Sequence, residues 1–249
     1  MISGKEFKSQ YPGLKYYKLT TDDENHNGYQ FKDGLNIDTN PINTNKCSQG
    51  GLYFTEGKKI YKWLSYNNKI MKYIREVEIL DDSIICIEED KYKTDKFVLK
   101  SRKIIFEDEE ICKLIVKEYG LALYYVKTQT EEICKLSVEK DGLALEYVKD
   151  QTYEICKIAV KQYGLALKYV SDQTEELCKI AVEQDGYALK YVKTQTEEIC
   201  KIAVEEDGYA LEYVKDQTEK MCKLAIQKYG TFDRLIFYMI KKCCFNNKN

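Results

Sequence analysis

One histidine, one tryptophan and two prolines are spread over 249 residues, and each scarcity removes a class of chemistry. With His26 alone and no CxxC pair, the spacings of a structural zinc site are missing, so no metal and no cofactor are expected. No apolar stretch reaches the roughly 18 residues of a bilayer-crossing helix. The N-terminus, MISGKEFKSQ, has none of the apolar core of a secretory leader. A soluble, intracellular protein is the expectation, with no membrane partner.

An excess of positive charge is also lacking. Lys and Arg number 18 against 17 Asp and Glu over residues 1–108, and 21 against 24 over 109–249. A protein that neutralises many phosphates needs a basic face, so nucleic acid is not an expected partner on charge grounds.

What the chain has in abundance is repetition, and internal repeats set the reading of everything else. Thr130, Thr152, Thr174, Thr196 and Thr218 begin successive 22-residue copies, and an incomplete copy precedes Thr130. Glycines keep the same period from Gly120 to Gly230, and cysteines from Cys112 to Cys222. Equivalent positions in stacked helical repeats lie about 8–10 Å apart, too far for the roughly 7 Å that a disulfide tolerates. The periodic cysteines therefore read as small apolar core residues in a reducing compartment. Cys243 and Cys244 read as free thiols near the polar tail.

Within a copy, Asp150-Gln151-Thr152 supplies turn residues and an N-cap, and pairs such as Glu131-Glu132 suit the positive end of a helix. The pattern predicts a first helix over about Tyr153–Gln162, burying Ile155, Cys156, Ala159 and Val160. Gly164 stands where a left-handed C′ residue ends the helix. A shorter second helix follows from Leu165 to about Val170. One such unit cannot bury its own apolar face, so copies must stack as an α-solenoid. Gln129 and its equivalents at Gln151, Gln173, Gln195 and Gln217 are expected to bond backbone between copies. The repeating lysines, Lys113 to Lys223, are expected on a solvated face paired with Glu one turn away.

The positions that change between copies lie at the turn and the second helix. Tyr163 stands against Asp185 and Asp207, Leu165 against Tyr187 and Tyr209, and Lys168 against Glu146 and Glu212. Variable polar and aromatic residues on a regular frame mark the candidate binding face: Tyr163, Tyr187, Tyr209, Lys168, Glu146 and Glu212. Thr231–Cys244 leaves the period and reads as a capping helix, with residues 231–249 ending in a polar tail.

Residues 1–108 read as a small α+β module. Leu14–Leu19 is rich in strand formers after the Pro12-Gly13 turn, Asp33-Gly34 marks a tight turn, and 36–49 is a polar loop. Gly50-Gly51 opens a buried strand, Leu52–Thr55. Lys58–Tyr66 carries Ile60, Trp63 and Leu64 at helical spacing. Strands are expected over Ile74–Leu80, Ser83–Glu88 and Lys96–Phe106. Lys91, Lys93, Lys96, Lys100, Arg102 and Lys103 either form an anion-binding face or, with Asp90 and Asp95 among them, a solvated strand edge; the edge is the expectation.

The strings NHNGYQFKDGLN, KCSQGGLYFT, YIREVEI and DKYKTDKFVLKSRKI resemble the N-terminal module of a large paralogous set of proteins in mimivirus-type giant viruses, where it usually precedes ankyrin repeats. Residues 109–230 resemble a short helical repeat found in the same viruses. The resemblance implies a viral protein made in host cytoplasm. A fainter one is to the ADP-ribosyltransferase fold: Tyr53 matches its tyrosine, but Lys18 stands at its histidine and Asp95 or Lys96 near its glutamate. Transfer chemistry is not implied by so altered a set, which leaves Lys18, Tyr53 and Asp95 as an alternative ligand site.

The sequence reads, then, as a mixed α/β module over 1–108, an α-solenoid of 22-residue helix–turn–helix repeats over 109–230, and a cap. The expected function is a non-enzymatic scaffold binding a host or viral protein. The alternative is a degenerate ADP-ribosyltransferase-like module binding a nucleotide or other ligand, with the repeats choosing the target.

Overall fold

The computed structural model describes residues 1–26, 28–44, 50–66 and 68–229. They divide into two compact units: Met1–Glu118 with Tyr125–Thr128, and Tyr119–Tyr124 with the chain from Gln129 onward. The expected capping helix, Cys47, Cys243 and Cys244 lie outside the described residues.

The first unit is mixed α/β and is built on an antiparallel sheet. Its strands run in the order Ile2–Ser3, Ile84–Ile87, Tyr92–Thr94, Leu52–Glu56, Tyr16–Thr20, Tyr73–Glu78, Lys96–Leu99 and Gly34–Ile37, and Lys103–Ile104 also pairs with Tyr73–Glu78. Phe7, Tyr16, Phe31, Phe54, Tyr92 and Phe97 form the centre of its core. Phe54 stacks on Tyr92 at 5.2 Å and Phe7 meets Tyr92 edge-on at 5.0 Å. Burying such a ring is worth about 1.5–3 kcal/mol, so these side chains outweigh the local backbone preferences around them.

Phe7 reaches that core from a helix, Gly4–Gln10. The Ser3 hydroxyl and Glu6 carboxylate form a capping box at its start, and that Ser-x-x-Glu spacing is the local signal for it. Three expectations change. The polar loop from residue 36 begins instead as a strand, Gly34–Ile37, because Lys96–Leu99 offers it an edge. Lys58–Tyr66 is a 3-10 helix over Gly57–Trp63 with only Ile60 fully buried. The long strand over Lys96–Phe106 breaks into Lys96–Leu99 and Lys103–Ile104.

The lysine-rich edge also divides. Lys100, Arg102 and Lys103 are exposed as expected, but Lys91 and Lys93 are 9% and 0% exposed. They flank and occupy a strand that lies inside the sheet between Ile84–Ile87 and Leu52–Glu56, so they have no edge to sit on. The helix Glu109–Glu118 belongs to this first unit and buries Ile111, Cys112, Ile115 and Val116.

The second unit is a run of repeated helices. Ten-residue α-helices, Glu131–Lys140, Tyr153–Gln162, Glu175–Gln184 and Glu197–Glu206, alternate with six-residue 3-10 helices, Gly142–Tyr147, Gly164–Tyr169, Gly186–Tyr191 and Gly208–Tyr213. Each threonine at the head of a copy accepts a bond from the amide three residues on, as Thr174 does from Leu177 at 3.2 Å, satisfying an orphan donor of the first turn. The second helix of the unit is thus 3-10 rather than α, and it starts one residue earlier than expected.

The glycine between the two helices has a different reason from the one expected. None of Gly120, Gly142, Gly164 or Gly186 has a positive φ. The turn is made by the residue before, such as Tyr163 at φ −152°, ψ 107°. What demands glycine is proximity: a Cβ on Gly164 would stand 2.5 Å from the carbonyl oxygen of Ala181 in the next copy.

Candidate functional site

The repeat frame is held copy to copy by glutamine. Gln129 Nε2 donates to the Tyr147 carbonyl at 2.9 Å, and its Oε1 accepts from the Lys149 amide at 3.0 Å. Gln151, Gln173 and Gln195 repeat the bond, to Tyr169, Tyr191 and Tyr213. The side-chain amide has the donor and acceptor that two unpaired backbone groups need, which is the role expected of it. The cysteine of each copy touches the same Oε1, with Cys178 Sγ 3.8 Å from Gln173. Burial pushes the Cys134 thiol up to about 11, so these sulfurs are packing groups.

The first helices carry charge outward. Lys135 pairs with Glu131 at 2.8 Å and Lys179 with Glu175 at 2.9 Å, while Lys157 reaches Glu176 and Lys179 reaches Glu198 in the following copy. The periodic lysines are thereby occupied with their own carboxylates.

The variable positions fall on the 3-10 side. Tyr163 and Tyr187 are each 38% exposed, and Tyr209 is half-buried. Glu146, Lys168 and Glu212 are exposed. Lys168 Nζ sits 4.3 Å from the Tyr169 ring centre, Tyr187 lies 5.9 Å from the Tyr213 ring, and Lys190 stands 5.8 Å from Tyr213. Lysine, tyrosine and glutamate therefore interleave along a row whose spine is Tyr147, Tyr169, Tyr191 and Tyr213.

One of these positions has a structural duty as well. Where Tyr163 stands, Asp141, Asp185 and Asp207 accept from the amides of Leu143, Tyr187 and Tyr209 and cap the 3-10 helix. Tyr163 makes no such cap, so its ring replaces a stabilising carboxylate with exposed aromatic surface.

The first unit contains a separate cleft of about 60 Å³, lined by Tyr17, Lys18, His26, Tyr53, Trp63, Tyr66, Met71 and Lys91 among others. It shares His26 and Tyr53 with a larger, more polar cleft of about 540 Å³ beside Asp38–Asn43 and Gly50-Gly51. Lys18 comes from strand Tyr16–Thr20 and is 4% exposed. Its Nζ shares a hydrogen bond with His26 Nδ1 at 3.3 Å and lies 4.4 Å from the Phe31 ring. Lys91 Nζ stacks on Tyr53 and Trp63 at 4.3 and 4.6 Å. Burial, then the charge of Lys91, lowers Lys18 to about 7; burial, then Lys18 and Lys91, lowers His26 to about 4.

Of the three alternative ligand residues, Lys18 and Tyr53 meet in this cleft, and Asp95 does not line it. The Asp95 carboxylate accepts from the Ile84 amide at 2.8 Å and the Thr94 hydroxyl, tying two strands together. His26, Trp63, Tyr66 and Lys91 were not singled out from the sequence as cleft residues. They come from three separate segments, Trp63 and Tyr66 sharing one, and no spacing brings the three together. Among the described residues no group of three or more His, Cys, Asp or Glu is placed to hold a metal ion, and no helix is long and apolar enough to cross a membrane.

Comparison with known proteins places the repeats in context. The family described as a domain of unknown function, DUF4116, matches residues 130–174, 152–195 and 174–218. The chain is similar to R868 of Acanthamoeba polyphaga mimivirus, a protein named for ankyrin repeats, with 36% identity over 117 residues, 44% of this chain and 55% of that one. R896 of the same virus, also named for ankyrin repeats, is 29% identical over 108 residues, covering 42% of this chain and 32% of its own. R869 is 29% identical over 112 residues, covering 44% and 80% respectively. The chain spans about half the length of R868 and about a third of R896. The expected resemblance to giant-virus paralogues is thus met by mimivirus relatives. No solved structure matches.

Proposed function

We propose that this chain is a non-enzymatic protein-interaction scaffold acting in the host cytoplasm, and that its repeats stack as an α-solenoid whose 3-10 side recognises a host or viral protein. The observation that carries this reading is the contrast within each copy. The buried frame of Cys, Val, Gly, Ala and Leu and the glutamine ladder recur, while Tyr163, Tyr187, Tyr209, Lys168, Glu146 and Glu212 change on the outer side of that frame. Exposed tyrosines are enriched in protein interfaces, whose charged residues fall at the polar rim, and stacked repeats as a class bind through extended faces. Two mimivirus relatives are named for repeats of an interaction class, which supports the same reading.

The test is affinity capture from host-cell lysate with the full chain. The wild type is compared with a Tyr187→Ser, Tyr209→Ser, Lys168→Glu variant, and with a Lys179→Ala, Glu198→Ala control on the first-helix side. The proposal expects one stoichiometric protein, kept by the control and lost by the triple variant at unchanged circular dichroism. Loss in the control alone, or retention by both, contradicts it.

A further inference from the structure

Lysine 18 lies in an interior strand, flanked by Leu52–Glu56 on one side and Tyr73–Glu78 on the other, and is 4% exposed. The other buried cations of this unit have carboxylates. Arg75 holds Glu24 at 2.9 Å, and Lys91 and Lys93 each stand 3.8 Å from Glu88. Among the described residues no carboxylate lies within ion-pair distance of Lys18 Nζ; its hydrogen bond is to His26. A buried ammonium without a counter-charge is costly, and such groups gather at sites that receive a ligand.

We propose that the cleft at Lys18 is a binding site for a small monocarboxylate with an apolar body, the carboxylate meeting the Lys18 ammonium and the body lying among Tyr53, Trp63 and Tyr66. A monoanion matches Lys18, the lining cation with no carboxylate in ion-pair distance among the described residues, with His26 beside it as a second polar group; the other lining ammonium, Lys91, shares Glu88 with Lys93. The size favours a small body, since the cleft measures only about 60 Å³. A larger body would run past His26 and Tyr53, which also line the 540 Å³ cleft. The wall is largely aromatic, the setting in which a few polar groups fix a ligand's orientation.

Uptake is coupled to a proton. Lys18 sits at about 7 when the cleft is empty, and an anion beside it favours the charged form. The charged and titratable groups around it are His26, Lys91, Arg75 directly across on the next strand, and the phenols of Tyr17, Tyr53 and Tyr66. Glu88 stands beside Lys91 and Glu24 is held by Arg75, so the incoming carboxylate supplies the charge that Lys18 lacks.

The test is calorimetric titration of the full chain with propionate and benzoate, each against its neutral amide, with inorganic phosphate as a further probe. It is run at pH 7.5 in two buffers of different protonation enthalpy, and again at pH 9.5. The proposal expects the carboxylates to bind about tenfold or more tighter than the amides, with proton uptake at pH 7.5, and about tenfold or more weaker at pH 9.5. Lys18→Met should abolish binding at unchanged circular dichroism. Equal binding of the amides, tighter binding of phosphate, absence of proton uptake or absence of binding overturns it. Should the variant not fold, the wild-type proton uptake and pH dependence decide alone.

Discussion

The α-carbon of Gly186 lies so close to Ala203 of the following copy that a Cβ placed on it would stand 2.6 Å from the Ala203 carbonyl oxygen. The same relation joins Gly142 to Ala159 and Gly164 to Ala181. The recurring glycine is thus a contact between copies and not a conformational device, since its φ is ordinary.

Gly186→Ala separates these two roles. Where φ is ordinary and space is open, this exchange stabilises by about 0.4–1 kcal/mol through the unfolded chain. Here the added methyl meets backbone atoms of Ala203 and Asp207, so a loss of about 1–3 kcal/mol is expected. A thermal melt of the variant followed by far-ultraviolet circular dichroism reads the difference, and an unchanged or raised midpoint contradicts the packing argument.

Gln173→Met removes one rung of the ladder. The substitution keeps the length of the side chain but strips the donor from the Tyr191 carbonyl and the acceptor from the Lys193 amide. One of these bonds is part-buried and the other exposed, so the loss is about 0.5–1.5 kcal/mol for each. Amide exchange at Lys193 should quicken while that at Lys149, held by Gln129, does not.

Acid should weaken the first unit. Lys18 is lowered from 10.5 to about 7 in the folded chain, so between these values the unfolded chain holds a proton that the folded one does not, and stability rises with pH. The cost is fully present below about pH 7 and fades toward 10.5. His26, lowered from 6.5 to about 4, acts in the same sense at lower pH. Urea melts followed by the fluorescence of Trp63, the single tryptophan, should show stability rising from pH 7 to 9. Lys18→Met should flatten that rise and stabilise the unit at pH 7 by on the order of 2–4 kcal/mol. A wild type with no such rise contradicts the buried-amine assignment.

Much of the repeat is legible in the sequence. The helix Tyr153–Gln162 starts and stops where its threonine cap and apolar spacing place it, and the glutamine ladder follows from a side chain with one donor and one acceptor recurring beside turn backbone. The 3-10 form of Gly164–Tyr169 was not legible, because six residues of Leu, Ala and Tyr favour either helix. Its choice depends on how closely the next copy approaches.

The first unit was less legible for a related reason. Tyr92–Thr94 is flanked by charge on a solvated reading, yet it is an inner strand because both of its neighbours are supplied by segments far along the chain. The cleft is formed by the same long-range pairing. Lys18 and Tyr53 were marked from a resemblance, whereas His26, Trp63 and Lys91 reach them only once the sheet and its 3-10 helix are assembled.

Hydrogen exchange on the full chain, with and without the captured partner, tests the interaction role most directly. The proposed binding face predicts new protection concentrated in Gly164–Tyr169, Gly186–Tyr191 and Gly208–Tyr213, with little change in the charged rows of the first helices. Protection confined to those charged rows, or to residues 1–118, would contradict it.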